Sequence, residues 1–103
     1  MALGDGSGKA GIQYGEARSV SVGSSSTVVV SDSDMKKSEM LAIVNDSSEA
    51  IYISYGAPAE MNKGIRLNAT GGALFLYGPS VPKVAINAIC SSGGKNLCVL
   101  IGS

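Results

Sequence analysis

The chain contains no histidine and no tryptophan. Without histidine it lacks the commonest general base, the commonest transition-metal ligand and every Ser–His or Cys–His nucleophile arrangement. Cysteine is scarce too: Cys90 and Cys98 are the only two, which is not a disulfide scaffold. They flank a Gly-rich turn, so a cross-strand bridge is open if the register brings their Cβ atoms to about 4 Å. The reading favoured here is two reduced, buried thiols that pack as small apolar residues. Charged residues make up only 16% of the chain, against roughly 25% in an average soluble domain. Eight Lys plus Arg balance eight Asp plus Glu, and only Lys36-Lys37 forms a cluster. A basic surface that would displace counterions from phosphates cannot be built from this, which excludes a nucleic-acid partner and a polybasic membrane contact. Long apolar runs are missing as well, none approaching the roughly 20 residues that span a bilayer. Met1 to Gly6 has neither the basic start nor the apolar stretch of a secretory signal. The expectation is a protein made and used without secretion.

The groups that remain do not assemble an active site. Asp32, Asp34, Asp46 and Glu49 fall in turns, where short polar side chains bond to nearby amides. Gly4-Asp5-Gly6-Ser7-Gly8-Lys9-Ala10 has the outline of a phosphate loop. Leu3 stands where its first glycine is required, however, and Ala10 replaces the Ser or Thr that reaches magnesium. Asn45-Asp46-Ser47 and Asn68-Ala69-Thr70 match a glycosylation sequon and read as turns. Tyr14, Tyr52, Tyr55, Phe75 and Tyr77 are too dispersed for a base-stacking platform. The reading is of a protein that is not an enzyme and uses no cofactor or metal.

What is present is a β pattern. The 103 residues suffice for one domain. Residues 1–16 are Gly-rich with no apolar period and read as a flexible arm, with Leu3, Ile12 and Tyr14 as spaced anchors for a neighbouring subunit. Residues 17–103 form the folded domain. Arg18–Val22 alternates with a period of two, and Thr27–Val30 is a β-branched run. Met35–Glu39 is expected to make one helical turn capped by Asp34 or Ser33. Met40–Val44 and Ala50–Tyr55, joined by a short polar link, are expected to form a hairpin, which Pro58 follows. Tyr52 and Tyr55 then fall on opposite faces, leaving one free for sugar or protein. Lys63–Asn68 is a short strand with Ile65 and Leu67 inward and Arg66 outward, and Ala73–Tyr77 follows Gly71-Gly72. Val84–Cys90 and Leu97–Ile101 are expected to pair as a second hairpin across Ser91–Asn96. The closing strand is apolar on both faces, so it belongs in the centre of a sheet or under a partner. About eight short strands between turn signals imply an all-β fold, a single β-sandwich or jelly-roll-like domain.

Val44-Asn45-Asp46-Ser47, Ile51-Tyr52-Ile53-Ser54-Tyr55-Gly56, Lys63-Gly64-Ile65-Arg66-Leu67-Asn68, Gly71-Gly72 and Ile86-Asn87-Ala88-Ile89-Cys90-Ser91-Ser92-Gly93-Gly94-Lys95-Asn96-Leu97 together carry a resemblance. Over roughly Leu41 to Ile101 the chain resembles small virion proteins of tailed bacteriophages. Such proteins are often capsid decoration, or cement, proteins of the outer shell, and others belong to the tail or head-tail junction. The resemblance implies a structural protein assembled in the host cytoplasm and located on the capsid surface, with the major capsid protein and further copies of itself as partners. Trimers suit the three-fold positions of a capsid. Lys63 and Arg66 are the polar rim contacts expected on this reading, beside the anchors Leu3, Ile12 and Tyr14. A carbohydrate-binding module using Tyr52 or Tyr55 is the alternative from another class.

Overall fold

The computed structural model describes residues 14–103. Eight strands follow in order: β1 Gly15–Val22, β2 Thr27–Val30, β3 Met40–Asn45, β4 Ile51–Tyr55, β5 Ile65–Leu67, β6 Ala73–Tyr77, β7 Ile86–Ile89 and β8 Lys95–Gly102. A short α-helix, α1 Asp32–Lys37, lies between β2 and β3, and a 3-10 turn, Gly78–Ser80, follows β6. The strands form two antiparallel sheets with orders β1-β8-β3-β6 and β2-β7-β4-β5. That pair of orders is a jelly roll: the chain crosses between layers at nearly every connection, and only β4 and β5 are both consecutive and paired. The expected all-β sandwich is therefore what the chain adopts.

The core follows from strand alternation. Leu41 and Ile43 of β3, Ile51 and Ile53 of β4, Ile86 and Ala88 of β7, and Leu97, Val99 and Ile101 of β8 point between the sheets and are buried. β8 is paired on both sides, with β1 and with β3, which accounts for its apolar residues on both faces. Met35 on α1 is fully buried and closes one end of the sandwich. None of the described helices is long and apolar enough to cross a membrane.

Several local expectations are corrected. The helix starts at Asp32 and not at Met35, because Ser31 is its cap and accepts a bond from the Asp34 amide at 3.3 Å. Asp32 and Asp34 in its first turn, and Lys36 and Lys37 in its last, complement the helix dipole. β1 begins at Gly15, so Gly15 and Glu16, placed in the arm by composition, are strand residues. The ladder with β8 holds them, and Tyr14 and Ser103 exchange two backbone bonds of 2.8 Å just beyond. Neither expected hairpin exists. β3 and β4 lie in different sheets, as do β7 and β8, so residues 46–50 and 90–94 are crossings between layers. Links of this length reach about 10 Å across a sandwich as readily as 4.8 Å to a neighbouring strand.

Specific polar contacts select the crossings. Asn45 is fully buried at the end of β3. Its amide nitrogen Nδ2 lies within bonding distance of the carbonyls of Glu49 (2.7 Å), Leu67 (3.0 Å) and Asn68 (3.1 Å), and its Oδ1 accepts from the Ser47 hydroxyl at 2.7 Å. Its backbone donates to Gly72 O and accepts from Gly71 N, each at 2.8 Å. Gly72 has to be glycine here, since a Cβ would overlap the Asn68 backbone. The second crossing is held by Glu49, which accepts from the hydroxyls of Ser91 and Ser92 at 2.7 Å and from the Ser92 amide at 3.3 Å. Lys95 Nζ stands 3.9 Å away.

Replacing Asn45 with Ala removes the Nδ2 donor from the Leu67 carbonyl, while Glu49 O keeps the Ser47 hydroxyl and Asn68 O keeps the Gly72 amide. The substitution should lower unfolding stability in urea by roughly 2 kcal/mol. The Ser92 hydroxyl, then that of Ser91, with Lys95 beyond them, holds the Glu49 carboxyl below its ordinary value near 4.5. A depressed folded-state pKa contributes stability above that ordinary value and loses it as the pH falls through the folded value. The stability advantage of the wild type over Glu49→Gln should therefore be constant near neutrality and shrink below about pH 4.5, read from denaturant midpoints across the acid range.

Candidate functional site

The two outer faces of the sandwich are treated differently. On the β2-β7-β4-β5 sheet, residues 56–64 fold back over the outer surface and bury Tyr52 with Ala59 and Ile89. The Tyr52 hydroxyl donates to Asn62 Oδ1 at 3.1 Å, and the Ala59 amide donates to Ser26 Oγ at 2.8 Å. On the β1-β8-β3-β6 sheet no loop of the described residues plays that part.

The register defines what this second face presents. One row across the sheet reads Ala17, Leu100, Ala42, Phe75, the next Ser19, Cys98, Val44, Ala73, and a third Gly15, Gly102, Met40, Tyr77. No position in these rows carries a charge. Phe75 is 57% exposed, Tyr77 60% and Leu100 37%. Large side chains stand along β6 and small ones along β1, and between them lies an open trough of ≈ 570 Å³ floored by Ala42, Val44, Cys98 and Leu100. The Cys98 thiol and the Ser19 hydroxyl line the trough with no histidine or carboxylate among its lining residues to activate them. No group of His, Cys, Asp or Glu among the described residues is arranged to hold a metal ion. An uncharged, concave, aromatic-edged surface binds by removing apolar area from water.

No protein-family model, curated protein or solved structure matches this chain. The functional reading therefore rests on its own residues.

The residues singled out from the sequence are not brought together. Leu3 and Ile12 lie outside the described residues. Tyr14 extends β1 by its backbone and leaves its ring 64% exposed at the end of the sheet. Lys63 sits in the loop covering the opposite sheet and pairs with Glu60 at 3.2 Å, both side chains well exposed. Arg66 is on β5, its guanidinium 6.0 Å from the Tyr52 ring centre and its Nε donating to Asn68 Oδ1 at 3.0 Å. Lys63 and Arg66 thus serve the sheet that its own loop already covers. Phe75, Tyr77 and Leu100 went unassigned in the sequence, although a signal was there: Ala73–Tyr77 is apolar at every position, more than one buried face requires.

The two thiols occupy opposite sides of β8. Cys90 is buried in the core, near the carbonyls of Val22 and Gly23 at 3.4 Å, and burial pushes its thiol up from the ordinary range. Cys98 is half-buried on the outer face, and both are free. A bridge between them would have to pass through the sheet. A thiol reagent added to the native protein should therefore label Cys98 alone, with Cys90 reacting only in denaturant. Two equivalents labelled at similar rates in the native state would contradict this placement.

Proposed function

We propose that this chain is a structural virion protein, a capsid decoration or cement protein that lays the outer face of its β1-β8-β3-β6 sheet on the major capsid protein. The observation that carries the reading is that uncharged face with its exposed Phe75 and Tyr77. The phage-like pattern over Leu41 to Ile101 supplies the virion context, and the jelly roll, a recurrent arrangement in viral capsid and lectin domains, supports it by fold analogy alone.

Magnitudes favour a many-copy setting. Each aromatic side chain presents roughly 200 Å², so covering the exposed parts of Phe75 and Tyr77 removes about 230 Å² from water and gains about 6 kcal/mol. Association itself costs about 4–15 kcal/mol, so a single contact of this kind is weak. Repetition on a symmetric shell turns weak contacts into firm attachment. A tail or head-tail connector component would use the same face against a different neighbour. The carbohydrate reading has less support, because Tyr52 is buried under its own loop and the trough offers little hydrogen-bonding capacity for hydroxyls.

Purified protein mixed with undecorated phage capsids should co-sediment at a saturating, symmetric stoichiometry, and Cys98 should become protected from labelling in the pellet. Phe75→Ser and Tyr77→Ser should each weaken co-sedimentation at least tenfold without unfolding the domain, while Lys63→Ser should not. Absence of capsid binding, or binding indifferent to both aromatic substitutions, would remove the reading.

A further inference from the structure

Four strands end the two sheets: β1 and β6 in one, β2 and β5 in the other. Free edges present unpaired backbone groups, and proteins blunt them with charge, bulges or brevity. Three of these edges are blunted. β1 carries Glu16 and Arg18 as an ion pair of 2.8 Å, β2 has a register irregularity between Val28 and Val30, and β5 has only three residues with Arg66 at its middle. β6, Ala73-Leu74-Phe75-Leu76-Tyr77, has no charge, no proline and an unbroken register with β3.

Its open groups can be identified. Gly78 N bonds Glu39 O at 2.9 Å and Asn45 N bonds Gly72 O at 2.8 Å, which places Leu74 and Leu76 in the set that bonds to β3. Ala73, Phe75 and Tyr77 therefore aim their N–H and C=O groups away from the sheet. Tyr77 is already satisfied, because the Ser80 hydroxyl accepts from its N–H at 3.2 Å and donates to its C=O at 2.8 Å. Among the described residues, nothing bonds the outward groups of Ala73 and Phe75.

We propose that β6 pairs antiparallel with β6 of a second copy, across a two-fold axis at Leu74. In this register Ala73 faces the partner's Phe75 and Phe75 faces the partner's Ala73, so four backbone bonds use the open groups and the Ser80 clasp stays intact. On the outer face each Phe75 lies beside a small alanine. On the inner face the two Leu74 side chains meet in a non-hydrogen-bonded pair, where cross-strand contact is closest. An axis at Phe75 would instead oppose Ala73 to Tyr77 and break the clasp. The pairing joins two sheets into one of eight strands and doubles the uncharged outer face. It stands on the edge geometry and does not depend on the capsid reading.

Light scattering of the full chain over a wide concentration range should give a two-copy mass. Ala73→Pro removes only an N–H that the monomer does not use, and should give a one-copy mass with the thermal midpoint that the wild type shows once diluted to one copy. In a Cys98→Ser background, Leu74→Cys should cross-link two copies on oxidation far faster than Phe75→Cys. A one-copy mass at every concentration, a three-copy mass, a dimer untouched by Ala73→Pro, or faster cross-linking through Phe75→Cys would each overturn the proposal. Because Ala73→Pro keeps Phe75 and Tyr77, capsid binding by that variant separates failure of the pairing from failure of the capsid reading.

Discussion

The buried side chain of Asn45 sits where β3 leaves one sheet, where β4 is about to enter the other, and where β5 passes back toward β6. One primary amide joins the Glu49, Leu67 and Asn68 carbonyls, while the backbone of the same residue is locked to Gly71 and Gly72. A core position that would otherwise hold an aliphatic residue thus holds a short amide able to donate to more than one carbonyl at once. The rest of the fold depends on it, because these bonds turn consecutive strands into opposite layers. Glu49, at the end of the same corner, extends the control to the second crossing by gathering Ser91 and Ser92. Two crossings between sheets are therefore governed from one place.

That corner also decides what the molecule shows to its surroundings. With β3 and β8 central in one sheet, the outward residues of both strands must tolerate neighbours on either side, and they are small or apolar: Ala42, Val44, Cys98 and Leu100. The long connection between β4 and β5 spends its apolar residues on the opposite face, over Tyr52 and Ile89. One face is covered from within the chain, and the other keeps Phe75 and Tyr77 open. The scarcity of charge, a property of the whole composition, becomes a local property of a single surface.

An apolar face and an unblunted edge meeting along β6 suit a subunit of an assembly better than a solitary domain. The surface carries no strong electrostatic pattern to steer an encounter. On the proposed reading, attachment would rest on area, on shape and on the number of copies engaged together.

The sequence by itself determined the all-β class, the placement of most strands and the central position of β8. Each of these follows from period-two alternation or from apolar residues on both faces of one strand, which are local properties. It did not determine which strands pair. Met40–Val44 and Ala50–Tyr55 look like a hairpin, as do the strands flanking Ser91–Asn96, because alternation says which residues face inward but not which layer they face inward from. The start of α1 at Asp32 in place of Met35 depended on which of several adjacent Ser and Asp side chains reached an amide. The separation of Cys90 from Cys98, the enclosure of Tyr52 and the exposure of Phe75 and Tyr77 were likewise settled only in three dimensions. They depend on contacts between residues distant in sequence, such as Asn45 with Leu67 and Glu49 with Ser92. Strand patterning is written residue by residue, whereas sheet membership is fixed by long-range polar contacts that no local window contains.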